Sequence, residues 1–383
     1  MLSDYRLLVL LVAGSLTTMA GGVVAPILPE MVQQLHLDPR LAGNLVSLHC
    51  LTIAIFSPLL GILADRIGRV RVLIPSLILF ALFGMAGALM NSLGPLLVSR
   101  GLLGAASGGI AAASLGLLGS MYEGKARSQA LGYATSALTL TGIAFPLLGG
   151  LVGAMNWRFA FLLYGLGLPV ALLVNLLFNQ KQSTKQVSSI TTNTKNNLTQ
   201  VLRYPQIWML LLIIGLTSVA MYAVVIYAPL YLKKTIGAGT ILNGIVLASR
   251  AVGAAVVSAV GSRYLAQSLG MTRAIAVGFA LMAVTLGTIP FLTQIGWLLL
   301  TAILFGVGFG ITLPNLYDSL ANLAPKELGS SILAAGTGAG FLGQFLSPIL
   351  LGPVLAFSGM EGVFYAAAGV AALAGFLLFL PKW

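Results

Sequence analysis

Twelve stretches of about twenty mostly apolar residues, separated by short polar or glycine-rich breaks, constrain the fold of this 383-residue chain more than any other feature. They lie at approximately 6–29, 41–62, 72–91, 95–119, 129–154, 159–178, 206–231, 240–262, 273–292, 296–317, 329–353 and 362–380. Each is long enough to cross the hydrocarbon core of a bilayer as a helix, the conformation in which a backbone satisfies its own hydrogen bonds without water. Hydrophobic residues make up 58% of the chain, charged residues only 7%, and glycine occurs 46 times. The mean hydropathy is +1.01. This is the composition of a chain whose solvent is lipid. The sequence therefore predicts an all-α polytopic membrane protein.

Residues 179–205 are rich in Gln, Ser, Thr, Asn and Lys, too polar to bury, and read as a cytoplasmic linker. They divide the chain into two bundles of six spans, 1–178 and 206–383. An even number of spans puts both termini on one side. Of the 20 Lys and Arg residues, 14 fall at the termini and in the 62–72, 120–128, 179–205, 263–273 and 318–328 segments, against 4 in the opposite loops (Arg40, Arg158, Lys233 and Lys234). That bias places both termini in the cytoplasm, in a plasma or inner membrane. The net charge of +12 is thus mostly a topology signal. Its dispersal, without aromatic interleaving or a binding motif, argues against a nucleic-acid partner. Cys50, the single cysteine, sits in an apolar run and reads as a core thiol, so the chain can form neither a disulfide framework nor a cysteine metal cluster. The first apolar run follows only MLSDYR, lacks a small-residue cleavage site, and is expected to remain as a first helix. The sequon at Asn197 falls on the cytoplasmic side and is discounted as a glycosylation site.

The chain also resembles itself. Shifted by 202 residues, NSLGPLLVSRGLLGAASG (91–108) lies on TQIGWLLLTAILFGVGFG (293–310), pairing Gly94 with Gly296, Gly104 with Gly306 and Gly108 with Gly310. At similar shifts Ala25-Pro26 falls on Ala228-Pro229, Gly61 on Gly261, and Pro146 and Gly150 on Pro348 and Gly352. Glycine is common in membrane helices, so the near-constant offset carries the argument. Six spans separate the copies, which makes the repeats parallel, as in two-halved transporters.

Charge is scarce, yet four charged residues crowd into GILADRIGRVR at 61–71, between the second and third spans. Gly61 and Gly68 permit close approach and a tight turn. Asp65 is an anion placed to face the positive end of a helix that begins at the cytoplasmic surface. The run of Gly61, Asp65, Arg66, Gly68, Arg69 and Arg71 resembles the signature loop of the major facilitator superfamily. VSRGLLGAASGG in the fourth span is similar to a second family stretch, with Arg100 at the intramembrane arginine position. GIAFPLLGG in the fifth span, with Gly142, Pro146, Gly149 and Gly150, resembles the motif of the family's antiporters, and the PILPEM run is also similar to the twelve-helix drug/proton exporters. The resemblance implies twelve helices as two pseudo-symmetric six-helix bundles. It implies, too, that the 61–71 loop is a conformational latch, with the eleventh span, opening near Gly329, as the partner of Asp65. Charges that only oriented the protein would not need Asp65. The equivalent loop of the second half, GSRYLAQSLGMTR, keeps the glycines and loses the Asp-Arg pair, so the expected latch is one-sided.

Ionisable groups at membrane depth are costly and mark function by default. Arg100 is either a cavity arginine that attracts an anionic group or shifts a nearby acid, or a structural arginine bonded to helix-end carbonyls. Ser107 and Ser114 follow it at sevens on nearly the same face. His49 and Arg250 correspond under the repeat; the histidine is either a proton carrier or a hydrogen-bonded packing residue. Of the eight acids, Asp4, Asp38, Glu123, Glu327 and Glu361 fall in loops or at termini, Asp65 belongs to the latch, and Glu30 and Asp318 stand near span ends. Many exporters of the family carry a carboxylate well inside the first helix, and this chain departs from that pattern. Glu30, sensed by Arg100, is the first expectation for a proton site and His49 the second.

In the family, helices 1, 4, 7 and 10 line the central cavity. Here they offer Met19, Ser107, Ser218, Met221, Tyr222, Tyr227, Asn315 and Tyr317 among aliphatics. Such a lining suits a lipophilic or amphipathic solute, although aromatic and Met residues in membrane helices also serve packing alone. The expected activity is proton-coupled export of such a molecule by alternating access, with protons as coupling ion, the bilayer as surroundings, a monomeric state and no cofactor. Uptake or uniport of a small metabolite, lipid flipping, and a non-transporting membrane sensor stay open. No nucleotide loop, HExxH or nucleophile motif marks an enzyme or a metal site.

Overall fold

The computed structural model describes residues 4–178, 205–323 and 329–379, and every regular element among them is helical. The 179–204 part of the linker, Asn197 within it, and Glu327 lie outside the described residues. In chain order the spans are α1 Tyr5–Gln34, α2 Pro39–Ile67, α3 Arg69–Leu89, α4 Leu93–Met121, α5 Gly124–Gly153, α6 Trp157–Phe178, α7 Pro205–Ile236, α8 Thr240–Ala259, α9 Met271–Phe291 and α10 Ile295–Asn322. The last helical run, Gly329–Leu377, turns at Gly359, where φ is 71° and ψ −170°. It therefore supplies two spans, α11 (329–358) and α12 (360–377), and the twelve expected crossings are all present among the described residues.

Several helices outrun their apolar cores. Glu30 lies inside α1, Asp65 and Arg66 inside α2, Lys233 and Lys234 in the last turn of α7, and Asp318 inside α10. Hydropathy registers only the hydrocarbon layer, whereas a helix continues through the interface, where water solvates its charged side chains. The loop expected at 62–72 accordingly shrinks to Gly68, with φ 105° and ψ 133°. Its repeat equivalent Gly270, before α9, adopts φ 85° and ψ 152°. Both angles lie in a region that glycine enters freely and other residues rarely adopt.

The chain forms two compact units, residues 1–183 with 228–248, and residues 184–227 with 249–383. In the first, α4 lies on α2: a Cβ at Gly104 would stand 2.6 Å from His49 Cα, and one at Gly108 2.8 Å from the Ser57 nitrogen. In the second, α10 lies on α8 in the same register, with 2.9 Å from Gly306 to the Arg250 carbonyl carbon and 2.9 Å from Gly310 to Ala254 Cα. Lipid offers little hydrophobic drive between helices, so close packing across small residues holds them together. The repeat in the sequence thus reappears as a repeat in packing, and it sets His49 and Arg250 at matching contacts.

Near the amino terminus the Tyr122 hydroxyl donates to Asp4 Oδ2 at 2.7 Å. That bond, foremost, holds Asp4 below its ordinary value, while burial and then the bond to Asp4 push Tyr122 up to about 12. The Tyr122 contribution to stability is complete below the ordinary tyrosine value of about 10 and is lost as pH rises through about 12. The contribution of Asp4 has the opposite sense: it is present above about 4 and lost as pH falls further. An ultraviolet titration of the whole chain should show one tyrosine ionising near 12. Tyr122→Phe should delete that step and Asp4→Asn should move it down part of the way. A step left unchanged by both would refute the assignment.

Candidate functional site

α1 is irregular in its middle. Short 3₁₀ turns at Leu16–Thr18 and Ala25–Ile27 flank the helical turn Met19–Gly22. Gly21 and Gly22 weaken the helix there, and Pro26 and Pro29 each remove an amide donor. Backbone carbonyls opened by such a break need partners at membrane depth, and side chains supply them. The Tyr164 hydroxyl of α6 stands 3.1 Å from the Met19 oxygen and 3.2 Å from the Ala20 oxygen. Arg100 Nη1 donates to Ala20 O at 3.2 Å and to the Tyr164 hydroxyl at 2.9 Å. Its guanidinium also lies over the rings of Phe161 and Tyr164, 4.9 and 5.0 Å from their centroids. Arg100 is only 1% exposed, and its Nε and Nη2 have no partner among the described residues.

Around this cluster the other expected groups take local bonds. Ser107 and Ser114 donate to carbonyls one turn back, Leu103 at 2.8 Å and Ile110 at 2.6 Å. His49 is buried, with Nε2 3.4 Å from Cys50 Sγ and Nδ1 without a partner among the described residues.

The antiporter-like stretch of α5 has a defined counterpart. A Cβ at Gly149 would stand 2.8 Å from Val23 Cα, and one at Gly150 2.5 Å from Thr240 O and 3.3 Å from Gly244 Cα. Thr240 Oγ1 donates to Gly150 O at 2.8 Å, and Asn243 Nδ2 donates to Pro26 O at 3.3 Å. The α5 backbone therefore touches both α1 and the first turns of α8. Gly142, at the other end of the motif, has open space beside it.

Glu30 is paired. Lys233 Nζ lies 2.7 Å from its Oε1, with the two side chains 34% and 22% exposed respectively. Arg100 instead donates to Ala20 O and to the Tyr164 hydroxyl. Lys233 follows Glu30 by 203 positions, the offset that pairs Ala25-Pro26 with Ala228-Pro229. Equivalent positions of the two copies thus meet as acid and base.

At the α2–α3 turn Asp65 pairs with Arg69 across Gly68, through Arg69 Nη2 at 3.0 Å and Nε at 3.1 Å. The remaining nitrogen of Arg69 donates to the Gly116 carbonyl of α4. Arg71 Nη1 reaches the Ile67 oxygen at 3.4 Å, Arg66 is exposed, and Gly61 faces the Ala112 methyl. The loop is thus tied to α4 through an arginine that bridges a carboxylate and a helix carbonyl.

In the second unit Ser218 and Tyr317 converge on α11, with Ser218 Oγ and Tyr317 Oη 3.4 and 3.6 Å from a Cβ placed at Gly340. Asn315 Nδ2 donates to Ile311 O at 2.9 Å. Tyr222 and Tyr227 are buried, Met221 is half-buried, and the Tyr227 hydroxyl has no partner among the described residues. Arg250 is half-buried, and its Nε has no partner among the described residues.

The Major Facilitator Superfamily model matches residues 10–348. The chain is a member of the major facilitator superfamily. It is similar to the tetracycline resistance protein, class B, of Escherichia coli, with 25% identity over 312 residues, 80% of this chain and 77% of that protein. Quinolone resistance protein NorA of Staphylococcus aureus (strain COL) is 26% identical over 372 residues, 94% of this chain and 92% of its own. Among solved structures, a bacterial homolog of the human lysosomal transporter Spinster, crystallised inward-facing and occupied, superposes with a TM-score of 0.80. That match has 16% identity and covers 98% of this chain and 96% of that one. The protein is a multi-pass transporter of this superfamily.

Tyr164, Thr240, Asn243, Gly244 and Lys233 belong to these contacts without having stood out in the sequence. Only Lys233 left a signal there, through the repeat offset. The others are ordinary residues of apolar helices until packing brings them to a broken helix or a facing glycine.

Proposed function

We propose that this transporter exports hydrophobic or amphipathic small molecules across the cytoplasmic membrane in exchange for protons, by alternating access, as a monomer with both termini in the cytoplasm. The observation that carries the proposal is the α5 stripe, in which Gly149 and Gly150 meet backbone of α1 and α8. A motif resembling that of antiporters is here a contact that one added methyl group would obstruct. The likeness to a tetracycline and a quinolone resistance protein supports the outward direction and a substrate with an apolar body. In this proposal Asp65 and Arg69, with Gly61, Arg66, Gly68 and Arg71, form a cytoplasmic latch made in one limb of the cycle and broken in the other. As substrate contacts the proposal takes Met19 and Ser107 of the first unit and Ser218, Met221, Tyr222, Tyr227, Asn315 and Tyr317 of the second, with Arg100, His49 and Arg250 as coupling groups.

Glu30 is the proposed proton site. Its protonation removes the charge that holds Lys233, so a proton arriving from outside weakens a tie between the ends of α1 and α7. Substrate-triggered proton movement in inverted vesicles with a preset gradient tests this, using a panel of lipophilic cations, neutral drugs and lysolipids. Glu30→Gln should reduce the proton signal at least tenfold while substrate exchange without a gradient persists. The acids in the described helices, Glu30, Asp65, Asp318 and Glu361, all stand near helix ends, which favours uniport or lipid flipping as the second reading. Undiminished substrate movement in Glu30→Gln, with no proton signal in either protein, would establish that reading and remove the first.

A further inference from the structure

A cavity of about 510 Å³ opens at the end of the first unit where α1, the α5–α6 junction and the start of α8 meet. Its size is that of a small-molecule site. The walls combine apolar side chains, Ile241 and Ile245 of α8 and Met155 of the junction, with Trp157, Gln34 and Glu30. Polar groups around it are mostly committed: Trp157 Nε1 donates to Gln34 Oε1 at 2.8 Å, Asn156 Oδ1 accepts from the Arg158 amide at 3.0 Å, and Thr240 Oγ1 donates to Gly150 O. Glu30 brings the one formal charge among the lining residues, and it is negative. The nearby cations lie outside the lining. Arg158 donates to Ala88 O and Asn91 Oδ1 and lies over the Trp157 ring, 4.7 Å from its centroid, while Lys233 approaches Glu30 through Oε1 alone.

We propose that this cavity binds the ammonium group of an amphipathic amine, which takes the place of Lys233 at Glu30 while its apolar chain lies on Ile241, Ile245 and Met155. Three features of the cavity support that class of ligand. The carboxylate is the group that an N–H cation bonds most strongly. Lys233 and Glu30 are 34% and 22% exposed, and water reaching such a pair lowers the cost of replacing one partner. Met155 and Ile241 are 81% and 43% free of contact with the rest of the protein, so an apolar chain can lie against them beside the charge. A neutral solute would gain only the apolar wall, and an anion would meet Glu30 as a repulsion. The site lies outside the expected substrate cavity, and its occupation would loosen the same α1–α7 tie that protonation of Glu30 releases.

The test is photolabelling of the purified full chain in lipid nanodiscs with dodecylammonium carrying a diazirine on its chain, read by mass spectrometry at Met155, Ile241 and Ile245. Saturable labelling there is expected, displaced by unlabelled dodecylammonium. Glu30→Gln should weaken it roughly tenfold, the loss of one charge-assisted contact. Lys233→Met should strengthen it severalfold, because a competitor is gone, and the opposite sign guards against a variant that merely misfolds. The matching alcohol should label without dependence on Glu30. Equal labelling by alcohol and amine, indifference to Glu30→Gln, or weaker labelling in Lys233→Met would each overturn the proposal; the last would mean that the pair holds an anionic or zwitterionic head. Labelling is an equilibrium measurement without a gradient, so its failure is distinct from failure of proton-coupled export.

Discussion

Gly150→Leu is expected to lower transport by one to two orders of magnitude, while Gly142→Leu, eight positions earlier in the same helix, is expected to leave it nearly intact. The two glycines belong to one motif but face different surroundings. A Cβ at Gly150 would already stand 2.5 Å from the Thr240 carbonyl oxygen and 3.3 Å from Gly244 Cα, whereas nothing lies within 4 Å of one at Gly142. The atoms met are backbone, and Thr240 Oγ1 ties that backbone to Gly150 O, so a rotamer change cannot relieve the clash. Overpacking of this kind costs about 1–3 kcal/mol. If the α5–α8 contact forms in one limb of the cycle, that cost falls on one conformation alone and shifts its population about 5- to 150-fold. Initial export rates in vesicles, normalised to inserted protein, measure the effect. Gly244→Leu should reproduce it from the other side, since its Cβ would stand 2.5 Å from the Pro146 oxygen. Equal losses at 142 and 150 would mean that α5 tolerates no bulk anywhere, and would remove the argument from contact.

The difference between those two glycines shows where sequence reasoning reached and where it stopped. Spans, repeat and the α2–α3 turn follow from local physics: apolar length sets a crossing, and Gly68 and Gly270 share a backbone region that few other residues enter. The offset of about 202 was legible for the same reason, and the structure turns it into matched contacts at Gly104 and Gly306. The partner of Glu30 left a signal in the sequence that was not read. The offset that aligns Ala25-Pro26 with Ala228-Pro229 points to Lys233, but a search for a partner to an intramembrane acid turns first to the buried arginine. Tyr164 and Gly244 were beyond reach, because their roles depend on a carbonyl opened by a 3₁₀ turn and on a helix that arrives from ninety residues away. Helix ends were misplaced for a different reason: hydropathy falls off at Glu30, Asp65 and Lys233, while the helices that carry them do not stop.

Arg100 separates stability from function. Removing a cation from water costs several kcal/mol, and the described residues supply no acid to offset it. Against that cost stand two hydrogen bonds to a charged group, about 1.5–3 kcal/mol each, and two desolvated ring contacts, about 2 kcal/mol each. The opposing contributions are of the same size, so the guanidinium is not what holds the bundle together. Arg100→Met, which keeps most of the volume, is expected to change stability by less than about 2 kcal/mol. Arg100→Ala leaves a void among Phe161, Tyr164 and α1 and is expected to cost about 2–5 kcal/mol. Cys50, fully buried, provides the measurement, since its reaction with a thiol-specific fluorophore on heating reports unfolding. Both variants should lose export at least tenfold, because a charge kept at membrane depth without a stability return is retained for the cycle. Should Arg100→Met unfold as readily as Arg100→Ala, the arginine is a structural clamp on the broken helix; should it fold and transport normally, the buried charge has no part in the cycle and the coupling must be sought at Glu30 alone.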